Sequence, residues 1–272
     1  MTQQEKFEQL RKKVYIDPYK EIERTPVAIS YGEYKTREGT FETPIGTYGN
    51  FSFVQAPPKS KKTFFISMLA GAYLTETTKY TGNIKGHREG KVLAHFDTEQ
   101  STEHAQRTFK RVLNISEYDG LNYDTYGLRT LSASDRVFFI DSYLESYGKE
   151  TGVIIIDGVA DLILDVNDIK EANEIVQRIM RWTEIYNVHI IVVIHSNHNS
   201  EKPTGHLGSF LEKKTETQIQ LKLREEDDNI VDVICKRSRA YPFEDFSFEV
   251  DKEGIPKIID KIDNVLRIDT PF

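Results

Sequence analysis

The chain reads as an α/β protein with a mostly parallel sheet, helices on its flanks and an antiparallel carboxyl-terminal edge. Three observations carry that reading. Short β-branched or aromatic runs at residues 51–55, 92–96, 153–156 and 188–194 are bounded by turn residues. Helical apolar spacing fills the intervals at 63–74, 132–147 and 168–180. Three further strand-like runs, 217–223, 230–235 and 246–250, then follow with no helix between them, the order expected of an antiparallel meander.

Composition bounds the function classes. With 272 residues, 38% apolar and 29% charged, the chain can bury a real core, which excludes global disorder. Its length fits one large α/β domain or two smaller ones. The amino-terminal MTQQEKFEQLRKKV has no apolar stretch of signal-peptide type, and the longest apolar runs are too short to span a bilayer. The expectation is a soluble, cytoplasmic protein with no membrane partner. One cysteine, Cys235, excludes an intrachain disulfide and a cysteine-based zinc site. A net charge of −7 supplies no general nucleic-acid footprint, so any such binding must come from local basic patches.

Taken in order, residues 1–49 read as an amino-terminal arm. One short helix is expected over 5–14, and Pro18, Pro26, Gly32, Gly39, Pro44, Gly46 and Gly49 then punctuate short strands or turns. Residues 51–55 form the first strand of the alternation. The helix over 63–74 places Phe64, Met68, Leu69 and Ala72 on one stripe. The strand over 92–96 ends at Asp97, and Ser101 opens the next helix as its capping residue. Residues 121–131 are expected to be extended. Residues 132–147 put Val137, Ile140, Leu144 and Tyr147 on one helical face. The strand 153–156 is bounded by Gly152 and Asp157. Asp168 caps a long helix with Ile169, Ala172, Ile175, Val176, Ile179 and Met180 on its apolar side, and 188–194 is a central strand.

The segment Ala56-Pro57-Pro58-Lys59-Ser60-Lys61-Lys62-Thr63 lies between the first strand and its helix, where a phosphate-binding loop must be. Backbone N–H groups there can surround phosphates at the positive end of a helix. In that reading Pro58, Lys59, Ser60, Lys61, Lys62, Thr63 and Phe64 bind nucleotide. Lys62 reaches the β and γ phosphates and the Thr63 hydroxyl binds magnesium. The pattern puts glycine where Ala56 and Lys61 stand, and Lys61 is the larger departure. A basic turn at a helix start would use the same residues.

Other strand ends add to the loop. Glu99, in Asp97-Thr98-Glu99, is placed to polarise a water, or is a solvated loop carboxylate. Asp157 suits a magnesium-holding carboxylate or a turn-forming residue before Gly158. Asp161, four residues on, suits a supporting position or a cap. His195 ends the next strand, before Ser196, Asn197, His198 and Asn199, as a γ-phosphate sensor or a plain loop-entrance histidine. No third ligand is suitably spaced for zinc beside His195 and His198. The cluster Lys236-Arg237-Ser238-Arg239 is an exposed charged turn or a pair of arginine fingers.

In this order the segments APPKSKKTF, HFDTEQS, GVIIIDGVADL, IIVVIHSN, GHLGSFLEKKTE and KRSRAYP resemble the RecA-like ATPase core, more closely RepA-type and DnaB-type hexameric helicases of mobile elements. The resemblance spans roughly residues 50–250. It implies a RecA-like P-loop domain over 50–272, with ATP and Mg2+ as ligands and Glu99 as catalytic base. It further implies Lys62 and Thr63 on phosphate and magnesium, Asp157 on magnesium and His195 as sensor. Arg237 and Arg239 would act in trans in a homo-oligomeric ring, a hexamer. The stretches 164–170 and 196–210 would face a channel for single-stranded DNA. The leading expectation is an ATP-driven DNA motor of replicative helicase type. A recombination or repair ATPase that does not unwind DNA, and a weakly hydrolysing nucleotide-binding assembly protein, stand beside it.

Overall fold

A computed structural model describes residues 1–196 and 202–259. In chain order the elements are α1 (Gln3–Val14), β1 (Val27–Thr36), β2 (Gly39–Thr47), β3 (Phe51–Ala56), α2 (Lys62–Thr75), β4 (Ile84–Gly86), β5 (Val92–Asp97), α3 (Thr102–Ser116) and β6 (Tyr123–Gly127). They continue with α4 (Ala133–Tyr147), β7 (Thr151–Asp157), α5 (Ile169–Tyr186), β8 (His189–His195), α6 (Gly205–Lys214), β9 (Thr217–Leu223), β10 (Ile230–Ser238), β11 (Phe246–Val250) and β12 (Pro256–Ile259).

The main sheet has the order β12-β11-β10-β9-β3-β8-β7-β5-β6. From β6 to β9 every neighbouring pair is parallel, and β10, β11 and β12 close the edge antiparallel. This is the expected α/β class. One detail differs: 217–223, expected within the antiparallel meander, is antiparallel to β10 but parallel to β3. The strand therefore joins the parallel core, and the meander starts one strand later.

Both faces of the central strands are covered, which is why they read as unbroken apolar runs. Val54, Ile155, Ile191 and Val193 face α2. Phe53, Ile154, Ile156, Ile190 and Val192 face α4, α5 and α6.

Helix α2 departs from the expected single stripe, since every residue from Phe65 to Leu74 is buried. The reason lies in the amino-terminal segment. Strands β2, β1 and β4 form a second, three-stranded sheet, and Ala28, Ile29 and Ile45 join the same core as Met68 and Leu69. Gly86 permits the contact, because a Cβ there would lie 2.3 Å from the Tyr73 backbone.

Local outcomes follow from caps and edges. Helix α1 starts two residues early because Thr2 and Glu5 form a capping box, yet none of its residues is buried. Ser101 stands at the α3 N-cap, but its side chain makes no capping bond. Only 123–127 of the stretch 121–131 is strand. Asp168 caps α5 by accepting the Glu171 N–H at 2.8 Å. Ile169 and Tyr147, expected on apolar faces, are exposed because each sits at an end of its helix, beyond the sheet.

Candidate active site

The loop between β3 and α2 bends through left-handed backbone without a glycine. Lys59 and Lys61 hold φ of +63° and +61°, in the left-handed region glycine favours. Lys61 is the N-cap of α2. Its ammonium is drawn aside, donating to Asn229 Oδ1 at 3.2 Å in the turn between β9 and β10. Inside the loop the Ser60 hydroxyl donates to the Pro57 carbonyl. The loop thus turns tightly around the α2 N-terminus, the positive end of the helix dipole.

Parallel strand order brings the other groups to the same edge. β3, β8, β7 and β5 all end there, delivering Ala56, His195, Asp157 and Asp97 side by side. Lys59, Ser60, Lys61, Lys62, Thr63, Phe64, Glu99, Gln100, Asp157 and His195 line one pocket of about 300 Å³. Pro58, expected with the loop residues, is not among the lining side chains. Ligands of open α/β sheets bind at this edge.

His195 occupies the middle of the pocket. Lys62 Nζ lies 3.0 Å from His195 Nδ1 and also donates to the Pro57 carbonyl at 3.2 Å. Glu99 Oε1 lies 3.4 Å from His195 Nε2. Thr63 Oγ1 faces Asp157 Oδ2 at 3.5 Å, at the outer limit of a hydrogen bond.

The charges are tuned by depth and by one another. Burial pushes the Asp157 carboxyl up to about 7, and the charges of Asp97 and Glu99 push the same way, against Lys62 and Thr63. Burial lowers Lys62, against the pull of Glu99 and Asp157. Glu99 goes the opposite way to Asp157: its hydrogen bond with His195 holds it below the usual glutamate value, against the partial desolvation of a side chain that keeps solvent contact. One pocket therefore carries a carboxylate that stays ionised and another that ionises reluctantly.

That reluctance bears on metal binding. Thr63 offers a hydroxyl and Asp157 a buried carboxylate, both hard oxygen donors of the kind Mg2+ takes while keeping most of its water. A divalent cation would offset the crowded charge of Asp97, Glu99 and Asp157. The residues present fit the ion.

Asp97, Gln100 and Thr98 were not singled out by sequence reasoning as site residues. Asp97 is fully buried and accepts from Glu99 N–H at 3.1 Å, Gln100 N–H at 2.7 Å and Gln100 Nε2 at 2.6 Å. The available signal was its place as the last residue of a buried strand.

Arg237 and Arg239 do not join the pocket. Ser238 pairs with Thr217 and Thr217 with Ser52, so the basic pair lies at the opposite edge of the sheet from the phosphate loop. Both are exposed, and the Arg239 guanidinium donates to the Lys213 carbonyl at 3.3 Å. The two stretches expected to face DNA do meet: Leu207 N–H donates to the Val166 carbonyl at 3.1 Å. Within the second stretch, Asn197, His198 and Asn199 fall outside the described residues.

Residues 46–201 match the family model described as AAA domain. No curated protein matches the sequence significantly. Among solved structures, the chain is similar to the RadB recombinase, with a TM-score of 0.53 and 17% identity over 78% of this chain and 92% of that one. It is also similar to a KaiC-like protein from the hyperthermophilic archaeon Pyrococcus horikoshii OT3, with a TM-score of 0.55 and 13% identity over 79% and 91%. These likenesses establish a RecA-like fold.

Proposed function

The chain belongs to the AAA domain family, and from that premise we propose that it binds and hydrolyses ATP and couples hydrolysis to movement on single-stranded DNA as a homo-oligomeric ring. The observation that carries the ATPase part is the convergence of Lys62, Thr63, Glu99, Asp157 and His195, from four separate segments, on one pocket. Lys62 would leave the Pro57 carbonyl for the β and γ phosphates. A magnesium ion on Thr63 and, through water, Asp157 would neutralise charge on the phosphate oxygens. Glu99 would accept a proton from water as its oxygen attacks the γ-phosphorus and the bond to the ADP oxygen breaks. His195, within reach of both Lys62 and Glu99, would register the γ-phosphate from between them. Burial of Asp157 strengthens its interactions relative to water.

The ring reading draws on the position of Arg237 and Arg239. They sit exposed at the edge away from their own pocket, so in this reading they serve the site of an adjacent subunit. The DNA reading draws on the RepA-type and DnaB-type resemblance and on the meeting of 164–170 with the start of α6. Steady-state ATPase assays with and without single-stranded DNA, with mass measured in the same buffer, test all three parts. DNA-stimulated turnover by an oligomer supports the motor. Turnover by a monomer, unchanged by DNA, removes the ring and DNA parts and leaves an ATPase.

A further inference from the structure

Between the end of β5, which leads into Glu99, and the end of β7 at Asp157 stands a polar rivet. Thr98 is 1% exposed. Its N–H donates to the Asp157 carbonyl at 2.8 Å. Its hydroxyl accepts the Gly158 N–H at 2.9 Å and faces two acceptors, the Gly158 carbonyl at 2.9 Å and Asp161 Oδ2 at 2.8 Å. A hydroxyl has one proton, so it accepts from the Gly158 N–H while its own proton is shared between the Gly158 carbonyl and Asp161 Oδ2.

The far side of the rivet is itself anchored. Asp161 lies in the short helical turn Val159–Leu162, just after Asp157. Its carbonyl accepts from Arg136 Nη1 at 2.6 Å. Arg136 also donates to the Leu128 carbonyl at 3.1 Å and the Arg129 carbonyl at 3.0 Å, locking α4 to the ends of β6 and β7. On the near side, Glu99 lies directly against Gly158, where an added Cβ would come within 2.8 Å of Glu99 Oε1. The residue after Thr98 and the residue bonded to Thr98 are thus in contact, and moving one moves the other.

We infer that Thr98 is a positioning residue for hydrolysis: its hydroxyl clamps the β5 end to Gly158 and Asp161, and so holds the Glu99 carboxylate where it must take a proton from the attacking water. The inference rests on the reading of the pocket as an ATP-hydrolysing site. Among the described residues no hydrogen bond joins Thr98 to Lys62 or Thr63, so its loss should leave nucleotide binding nearly intact. Misplacement of a reacting group by about 1 Å costs up to about 10²-fold in rate.

The test measures kcat, KM and the Kd of a fluorescent ATP analogue for wild type, Thr98→Val, Thr98→Ala and Thr98→Ser, with thermal midpoints for each. Thr98→Val keeps the volume and removes the hydroxyl. Thr98→Ala removes the same hydroxyl without setting a methyl against Gly158, and serves if the valine variant does not fold. The expected result is a kcat lowered about 10- to 100-fold in Val and Ala, a Kd within about twofold of wild type, and recovery of most turnover in Ser. Wild-type turnover in the folded Val or Ala variant would overturn the inference alone. So would a Ser variant as slow as Ala, or a Kd that worsens as much as kcat falls. A wild-type protein without turnover would take the hydrolysis reading and this inference down together.

Discussion

Lys62 Nζ and His195 Nδ1 lie 3.0 Å apart, and the contact orients the imidazole. An ammonium has only donors, so Nδ1 must be the accepting nitrogen. The ring proton then sits on Nε2, directed at Glu99 Oε1 3.4 Å away. One ring thus links the lysine proposed to bind phosphate to the carboxylate proposed as base.

Lysine position separates the two neighbours in the loop. Lys62→Ala is expected to abolish tight nucleotide binding, measured by fluorescent nucleotide titration. Lys61→Ala should cost much less, because Lys61 Nζ is engaged with Asn229. Lys61→Gly should raise thermal stability by about 1 kcal/mol, since the backbone there is left-handed. Equal losses of binding at 61 and 62 would mean the register of the loop is wrong.

Asp157 sets a pH dependence. Its folded-state pKa is raised from the ordinary 3.8 to about 7. A raised carboxyl favours folding only while protonated, so its contribution is complete below about pH 4 and is lost as pH rises through 7. Asp157→Asn removes the buried charge. In Mg-free buffer at pH 8 it should raise stability by about 1–3 kcal/mol, with no gain at pH 4. Denaturant melts at both pH values check this. Mg-ATP turnover should be lost in the same variant. An equal stability change at pH 4 and pH 8 would contradict the assignment.

Buried histidines act in the opposite direction. Burial lowers His95 to about 3 and His189 to about 4. Groups depressed in the fold stay neutral there while the unfolded chain takes up protons, so stability falls as pH drops from about 6.5 toward 4. His189 is held from both sides, by Ser52 Oγ at 3.0 Å and the Thr47 carbonyl at 2.9 Å. His189→Gln should flatten the acid side of the stability curve, while lowering stability at pH 7.5 by about 1–3 kcal/mol for the broken bonds.

The basic pair is tested by mixing. Arg239→Ala should lose turnover, by up to the roughly 10³–10⁵-fold found for arginine fingers, while keeping nucleotide affinity. Mixing it with Lys62→Ala protein should restore some activity, because intact Arg239 then faces intact Lys62 at some interfaces. No recovery in mixed assemblies, or full activity in a monomer, would leave two exposed arginines before Pro242.

Much of the order of chemistry could be read from the residues because β5, β7 and β8 are largely apolar and buried and end in Asp97, Asp157 and His195. The loop could be placed but not its shape. Left-handed backbone at Lys61 is carried by tertiary contacts, including Asn229, far along the chain. The burial of α2 all round was hidden for the same reason: its second cover comes from β1, β2 and β4, which show only as punctuated polar sequence. Thr98 gave no signal, since a threonine between two acids looks like a loop residue until Gly158 and Asp161 are brought beside it. The opposite-edge position of Arg237 and Arg239 depends on the direction of β10, which spacing alone does not decide.

The role of Glu99 is the most direct test of the site. Wild type and Glu99→Gln should be compared for ATP binding and for Mg-ATP turnover in the same preparation. The substitution keeps volume and removes the proton acceptor. The expected result is unchanged affinity with turnover lowered about 10²–10⁴-fold. Full turnover by Glu99→Gln would contradict the site as assembled here and leave Glu99 an ordinary loop carboxylate beside His195.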